Sequence, residues 1–190
     1  MVKDYGPICG NVGIKSIITT PDTRFLFAGS YEGDLKQICL ESQEVVHDYG
    51  KTHDDEICCL ETTRDSKWLV TASIDAHVKR FSVESREVDK DFGQNVEYEI
   101  HSLKIMAEDE KLFVGESKGH LKLISLRGGE VVKDFGHVHN CMSGIIETVD
   151  QKFFFTSSYE GELKQWNYED NTLVTDHGKI TGDNIRFLCL

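Results

Sequence analysis

No run of apolar residues in this 190-residue sequence approaches the ~18 that a membrane-crossing segment needs. The amino terminus, MVKDYGPICG, lacks the apolar stretch of a secretory signal. No two of the six cysteines, at 9, 39, 58, 59, 141 and 189, stand in a C-x-x-C pair. Scattered thiols without an export signal predict reduced cysteines in a cytoplasmic protein, not a disulfide framework. Basic residues are in deficit, with 21 Lys and Arg against 33 Asp and Glu, for a formal charge of −12. Nucleic acids and anionic membranes are bound through clustered Lys and Arg, so neither is expected as a partner. Helical periodicity is absent too: nowhere do apolar residues recur at i, i+3, i+4 and i+7 for the roughly ten residues a helix requires.

What is present is a period. An Asp-aromatic-Gly mark recurs as DYG at 4–6 and 48–50 and DFG at 91–93 and 134–136, with a related DHG at 176–178. Successive marks start 44, 43, 43 and 42 residues apart. The nonapeptides SYEGDLKQI (30–38) and SYEGELKQW (158–166) are near copies at the same phase of that repeat. Each unit holds four short runs of β-branched and aromatic residues separated by turn chemistry. In the first these are IKSIIT, RFLFAG, LKQICL and EVVHD; in the second, EICCLE, KWLVTA, HVKRFS and REVDK. Strands of this length, at this spacing, predict an all-β fold. A small sheet of four antiparallel strands covers its faces by stacking on copies of itself, which predicts a β-propeller. The repeats are 4–47, 48–90, 91–133 and 134–175, with a partial fifth at 176–190.

The second unit carries His53 ahead of its first strand, Ser73 and Asp75 in the turn between its second and third, and Phe81 at the end of the third. The fourth carries His139, Ser158 and Trp166, with Glu160 in place of the Asp. In these positions the chain resembles the WD-repeat family, whose units place Gly-His, Ser-x-Asp and Trp-Asp at such points. The Trp-Asp dipeptide itself is replaced by IC, FS, IS and WN. The first unit keeps Ser30 and Glu32, and the third has Glu116, Lys118 and Ile124 in the equivalent places. The resemblance implies a WD-repeat-like propeller and assigns His53, Ser73, Asp75, His139, Ser158 and Trp166 to structural repeat positions. It also implies a ring larger than four units. The chain begins with VKDYG, like the tail of an outermost strand, and ends with DNIRFLCL, like a lone innermost strand. Open ends exposing Ile14, Ile17, Phe187 and Leu188 would favour self-association.

Several clusters invite a chemical reading. His137, His139 and Cys141 supply too few ligands at too irregular a spacing for zinc, and His139 already has a repeat position. Cys58 and Cys59 are adjacent in a strand, so their side chains are expected on opposite faces, as packing groups. GESKGH at 115–120 lacks the phosphate-loop signature and a following helix. No catalytic residue, metal or cofactor is therefore predicted.

What remains is a surface. In WD-repeat propellers the crossings between blades and the turns between second and third strands share the face used for partners. By position that face here gathers Tyr31, Asp54, Asp55, Glu56, Tyr98 and Tyr159. Tyrosines are favoured interface anchors, and carboxylates around them would attract Lys or Arg. The expectation is a noncatalytic protein–protein interaction scaffold with a protein or peptide partner, of basic character. The alternative is an enzyme or small-ligand binder working at the central channel, which needs acid, base or metal groups converging from several units.

Overall fold

The computed structural model describes residues 8–106 and 108–181, so the DYG mark at 4–6 and the strand expected at 184–190, with Phe187 and Leu188, lie outside the described residues. The chain forms two compact units, Met1–Val96 and Glu97–Leu190. In the first, β1 (Ile14–Thr19), β2 (Phe25–Ser30), β3 (Asp34–Cys39) and β4 (Glu44–Lys51) pair in chain order as one antiparallel sheet. A second sheet follows from β5 (Ile57–Thr62), β6 (Trp68–Ser73), β7 (Val78–Ser82) and β8 (Val88–Asp91). The second unit repeats the plan. Its sheets are β9 (Ile100–Ile105), β10 (Lys111–Glu116), β11 (His120–Ser125) and β12 (Val131–His137), then β13 (Met142–Glu147), β14 (Phe153–Ser158), β15 (Glu162–Asn167) and β16 (Leu173–Lys179). Among the described residues the only helix is one 3-10 turn, Gly93–Asn95.

The core of each unit lies between its sheets. In the first, Phe27 and Leu35 of one sheet meet Ile57, Leu60, Leu69 and Phe81 of the next. In the second, Phe113, Leu121 and Leu123 meet Met142, Ile145, Phe154 and Trp166. The rings of Phe154 and Trp166 stack at 5.8 Å between centroids. Burying a side chain of this size contributes about 1.5–3 kcal/mol, so the interface between sheets, rather than any sheet alone, carries the fold.

The Asp-aromatic-Gly mark acts at this interface. It sits at the end of the outermost strand, where the ladder slips by a residue: Leu35 pairs Gly50 while Lys36 pairs Asp48, leaving Tyr49 in a bulge. Gly50 takes φ +64°, open to glycine at little cost, and its N–H donates to Asp48 Oδ1 at 2.8 Å. The bulge turns Tyr49 inward, edge-on to Phe81 of the next sheet at 5.4 Å. Phe135 does the same in the second unit, meeting Trp166 edge-on at 5.4 Å. In the first and fourth sheets the Asp finds a lysine across the strand pair: Lys36 bonds Asp48, and Lys164 lies 3.4 Å from Asp176, whereas Asp91 in the second meets His77 at 3.0 Å.

A second slip occurs in every first strand. Ile57 pairs Ser73 and Cys59 pairs Ala72, so Cys58 is the extra residue; Lys15, His101 and Ser143 are skipped likewise. This overturns the expectation for Cys58 and Cys59. Strict alternation fails at a bulge, so the two neighbouring side chains no longer diverge to opposite faces.

Candidate functional site

The near-identical nonapeptides build the turns that shape the loop face. Gly33 of SYEGD takes φ +90°, and a Cβ there would stand 2.0 Å from the carbonyl oxygen of His53. Only glycine permits that approach. Its own carbonyl accepts the N–H groups of Thr52 at 2.9 Å and His53 at 3.2 Å, stitching the turn of the first sheet to the crossing into the second. A further bond fixes the residue that starts each turn. Tyr31 donates its N–H to Gly13 O, Ile74 to Glu56 O, Ser117 to Glu99 O and Tyr159 to Cys141 O. Turns and crossings thus form one continuous rim within each unit.

Beneath the rim lie the repeat positions. His53 is buried, with Nδ1 at 3.0 Å from Asp75 Oδ2 and Nε2 at 2.7 Å from Thr71 Oγ1. A carboxylate facing Nδ1 demands a proton there, so Nε2 accepts from the Thr71 hydroxyl. Burial pushes the His53 pKa below its ordinary value, Asp75 opposing it, so the ring is neutral at pH 7. For Asp75 burial acts upward, but N–H groups of Asp54 and His77 and the His53 ring hold its pKa below the ordinary value. Ser73 Oγ accepts the Asp75 N–H at 3.1 Å and donates to Asp55 O at 3.2 Å.

The fourth sheet repeats the network with one shift. His139 Nδ1 lies 3.1 Å from Glu162 Oε2, so its acid partner is Glu162 and not Glu160, the residue at the expected Asp position. The extra methylene of glutamate lets the carboxylate reach from the start of β15. His139 Nε2 lies 2.9 Å from Thr156 Oγ1, which also accepts the Trp166 indole N–H at 2.9 Å. Ser158 Oγ accepts the Glu162 N–H at 3.2 Å. Burial lowers the His139 pKa as well.

The surface residues fall into separate groups. In the first unit, Tyr31, Glu32, Asp34, Lys51, Asp54 and Asp55 line a cleft of about 390 Å³. Tyr31 is 48% exposed. Lys15 Nζ hangs 5.0 Å from the centre of its ring and 2.9 Å from Glu56 Oε2. Glu56 therefore engages Lys15 beside the cleft rather than lining it. In the second unit, Tyr98 packs near His120 at 5.6 Å, and Tyr159 stands edge-on to His101 at 5.7 Å. His101 also lies 3.7 Å from Cys141 Sγ and 3.8 Å from Glu99. This line of thiol, imidazole and carboxylate resembles a nucleophile array, but burial and the charges of Glu160 and Glu99 push the Cys141 pKa up, away from thiolate. Among the described residues no three His, Cys, Asp or Glu side chains converge as a metal site.

Lys15, Asp34, Lys51, Thr71, Thr156 and Glu162 escaped the sequence reading. The repeat offered a signal for some of them: Thr71 and Thr156 share a phase, as do Asp34 and Glu162.

Compared with known proteins, residues 44–82 match the family described as WD domain, G-beta repeat (WD40). No curated protein matches the chain by sequence. Among solved structures, "Structure of U3-55K" and "Crystal structure of RRP9 WD40 repeats" each superpose with a TM-score of 0.78 at 13% identity, over 86% of this chain. The chain spans about half of each, 51% of its length. Its fold is that of the WD40 repeat proteins, four four-stranded blades of propeller type, with the family's sequence pattern recognised at residues 44–82.

Proposed function

We propose that this chain is a noncatalytic protein-interaction module whose cleft at Tyr31 receives a Lys or Arg side chain from a basic segment of a partner protein. The observation that carries the reading is the cleft lining. Four carboxylates, Glu32, Asp34, Asp54 and Asp55, stand around one exposed ring with a single ammonium, Lys51. Lys15 supports it from the chain itself, holding a cation against the Tyr31 ring with Glu56 as counter-ion. A cation over an aromatic face is favourable by about 0.5–1 kcal/mol where exposed, and carboxylates nearby steer its approach. The five described cysteines are free, which fits a reducing compartment, and we place the protein in the cytoplasm.

The test is a peptide array read against the purified protein at two salt concentrations. Lys- or Arg-containing peptides should bind, weaken as salt rises, and lose at least several-fold in affinity on Tyr31→Ala or on the paired change Asp54→Asn/Asp55→Asn. Binding indifferent to Lys and Arg content, or untouched by both variants, would refute the proposal.

A further inference from the structure

We propose that Cys58 and Cys59 form a two-electron modification site, oxidised by hydroperoxides to a disulfide between adjacent residues. The geometry comes from the bulge. In a regular strand neighbouring side chains diverge to opposite faces, and adjacent thiols cannot meet. Here the ladder passes from Ile57–Ser73 directly to Cys59–Ala72, and the extra residue rotates Cys58 toward its neighbour's side. The same bulge carries Lys15-Ser16 in β1, His101-Ser102 in β9 and Ser143-Gly144 in β13, so β5 alone places two sulfurs there. Both residues are partly buried rather than sealed in the core. Cys58 Sγ also contacts Ala72 O at 3.3 Å, which holds the bulged side chain in place.

The surroundings assign the two sulfurs different parts. The hydrogen bond to Cys58, then burial, holds the Cys59 proton well above the ordinary thiol range, and Lys15 opposes this from nearby. Cys59 is thus held as a thiol, and the first oxidation is assigned to Cys58, the extra residue of the bulge. Cys58 takes the terminal oxygen of the hydroperoxide to become a sulfenic acid, and the O–O bond is reduced to an alcohol, or to water when the oxidant is hydrogen peroxide. The Cys59 sulfur then attacks the sulfenic sulfur, the S–S bond forms, and the hydroxyl leaves as water with the Cys59 proton. Two thiols have lost two electrons and two protons, and the peroxide has taken them up.

The competing thiol is Cys39, whose pKa is lowered by its hydrogen bonds from Ser42. It stands on another sheet, as a single sulfur. Two probes on the full chain separate the cases. Treatment with hydrogen peroxide, followed by alkylation and peptide mass mapping, should show the peptide spanning 58–59 lighter by two hydrogens and protected from alkylation, reversibly by a dithiol reductant. Phenylarsine oxide, which bridges two thiols with loss of water, should bind one equivalent per chain and survive a monothiol wash. Either Cys58→Ser or Cys59→Ser should abolish that retention, and Cys39→Ser should leave it intact. The mapping uses the unmodified chain, so it stands even if a serine variant folds poorly. Oxidation confined to Cys39, or arsenical retained by the Cys58→Ser/Cys59→Ser protein, would overturn the proposal.

Discussion

Replacing Thr71 or Thr156 by valine should cost unequal amounts of stability, and the difference can be worked from the hydrogen bonds. Both threonines are fully buried, so valine fits the same space without its hydroxyl. Thr71 Oγ1 serves one partner, His53 Nε2 at 2.7 Å. Its loss leaves one buried acceptor unpaired, at about 1–3 kcal/mol. Thr156 Oγ1 serves two, donating to His139 Nε2 and accepting from Trp166 Nε1, each at 2.9 Å. Thr156→Val therefore orphans two buried groups, for about 2–6 kcal/mol. Urea unfolding followed by tryptophan fluorescence suits the comparison, because Trp68 lies in the unit that carries Thr71 and Trp166 in the unit that carries Thr156. Equal losses, or a larger one at Thr71, would show that the two-partner hydroxyl is not the hub described.

Two further outcomes follow from the same corner of the fold. Burial lowers the pKa of His53 and His139 below the ordinary 6.5, so the unfolded chain binds protons first as pH falls. Their contribution is fully present above pH 6.5 and lost as pH drops toward the depressed values, so the urea midpoint should decline from about pH 6.5 downward. The double variant His53→Gln/His139→Gln should flatten that decline, and an unchanged slope would contradict it. Glu162→Gln removes the charge that meets His139 from a partly exposed position and should lower the melting free energy by about 0.5–1 kcal/mol, whereas Glu160→Gln should stay within about 0.5 kcal/mol of zero. Thermal melts of the two variants side by side give the answer.

The period, the strand count and the turn positions were legible because each is a local pattern repeated at fixed spacing. Thr23, Ser66, Asp109 and Gln151 all take φ of +55° to +60° at the same phase of successive hairpins, although no two of the four are the same residue type. Bulges were not legible. Nothing in ICCLE marks Cys58 as the extra residue, since a bulge reflects the mismatch between two paired strands and the twist it relieves. The shift from Glu160 to Glu162 was hidden for a different reason. Position within the repeat assigns a residue to a place in the backbone, but the reach of its side chain decides which carboxylate arrives at the imidazole. The cleft at Tyr31 was legible in part, because Tyr31, Asp54 and Asp55 fall in loops that the repeat brings together. Lys15 was not, because it lies in a strand and turns toward Tyr31 and Glu56 only through the bulge at that position.

The degenerate repeats follow one constraint, that polar partners are kept or dropped together. His53 and His139 correspond in the repeat to Cys9 in the first unit and Val96 in the third. Thr71 and Thr156 correspond to Ala28 and Val114. Where the imidazole is gone the hydroxyl that served it is gone as well, and the buried places are filled by groups that need no partner: Cys9, Ala28, Val96 and Val114 are all buried. Losing only one member would strand a donor or acceptor at a cost of about 1–3 kcal/mol, while losing both is close to neutral. The third sheet goes further and carries Glu116, fully buried, where the others have serine. Lys122 Nζ sits 3.0 Å from its Oε1, in Coulomb contact but off the direction of a hydrogen bond. Lys122 stands at the phase of Lys36, Lys79 and Lys164, so the cation is the repeat's own and only the carboxylate is particular to this sheet. In the second and fourth sheets that lysine reaches the backbone before the histidine, donating to Thr52 O at 2.6 Å and Val138 O at 2.7 Å. With Val96 in the histidine's place and no His–Thr pair beneath it, the third sheet instead turns the shared lysine toward a buried acid. The fold thus tolerates different chemistry at one corner: the His–Thr pair is kept or dropped as a unit, while the lysine common to all four sheets takes whichever acceptor its own sheet offers.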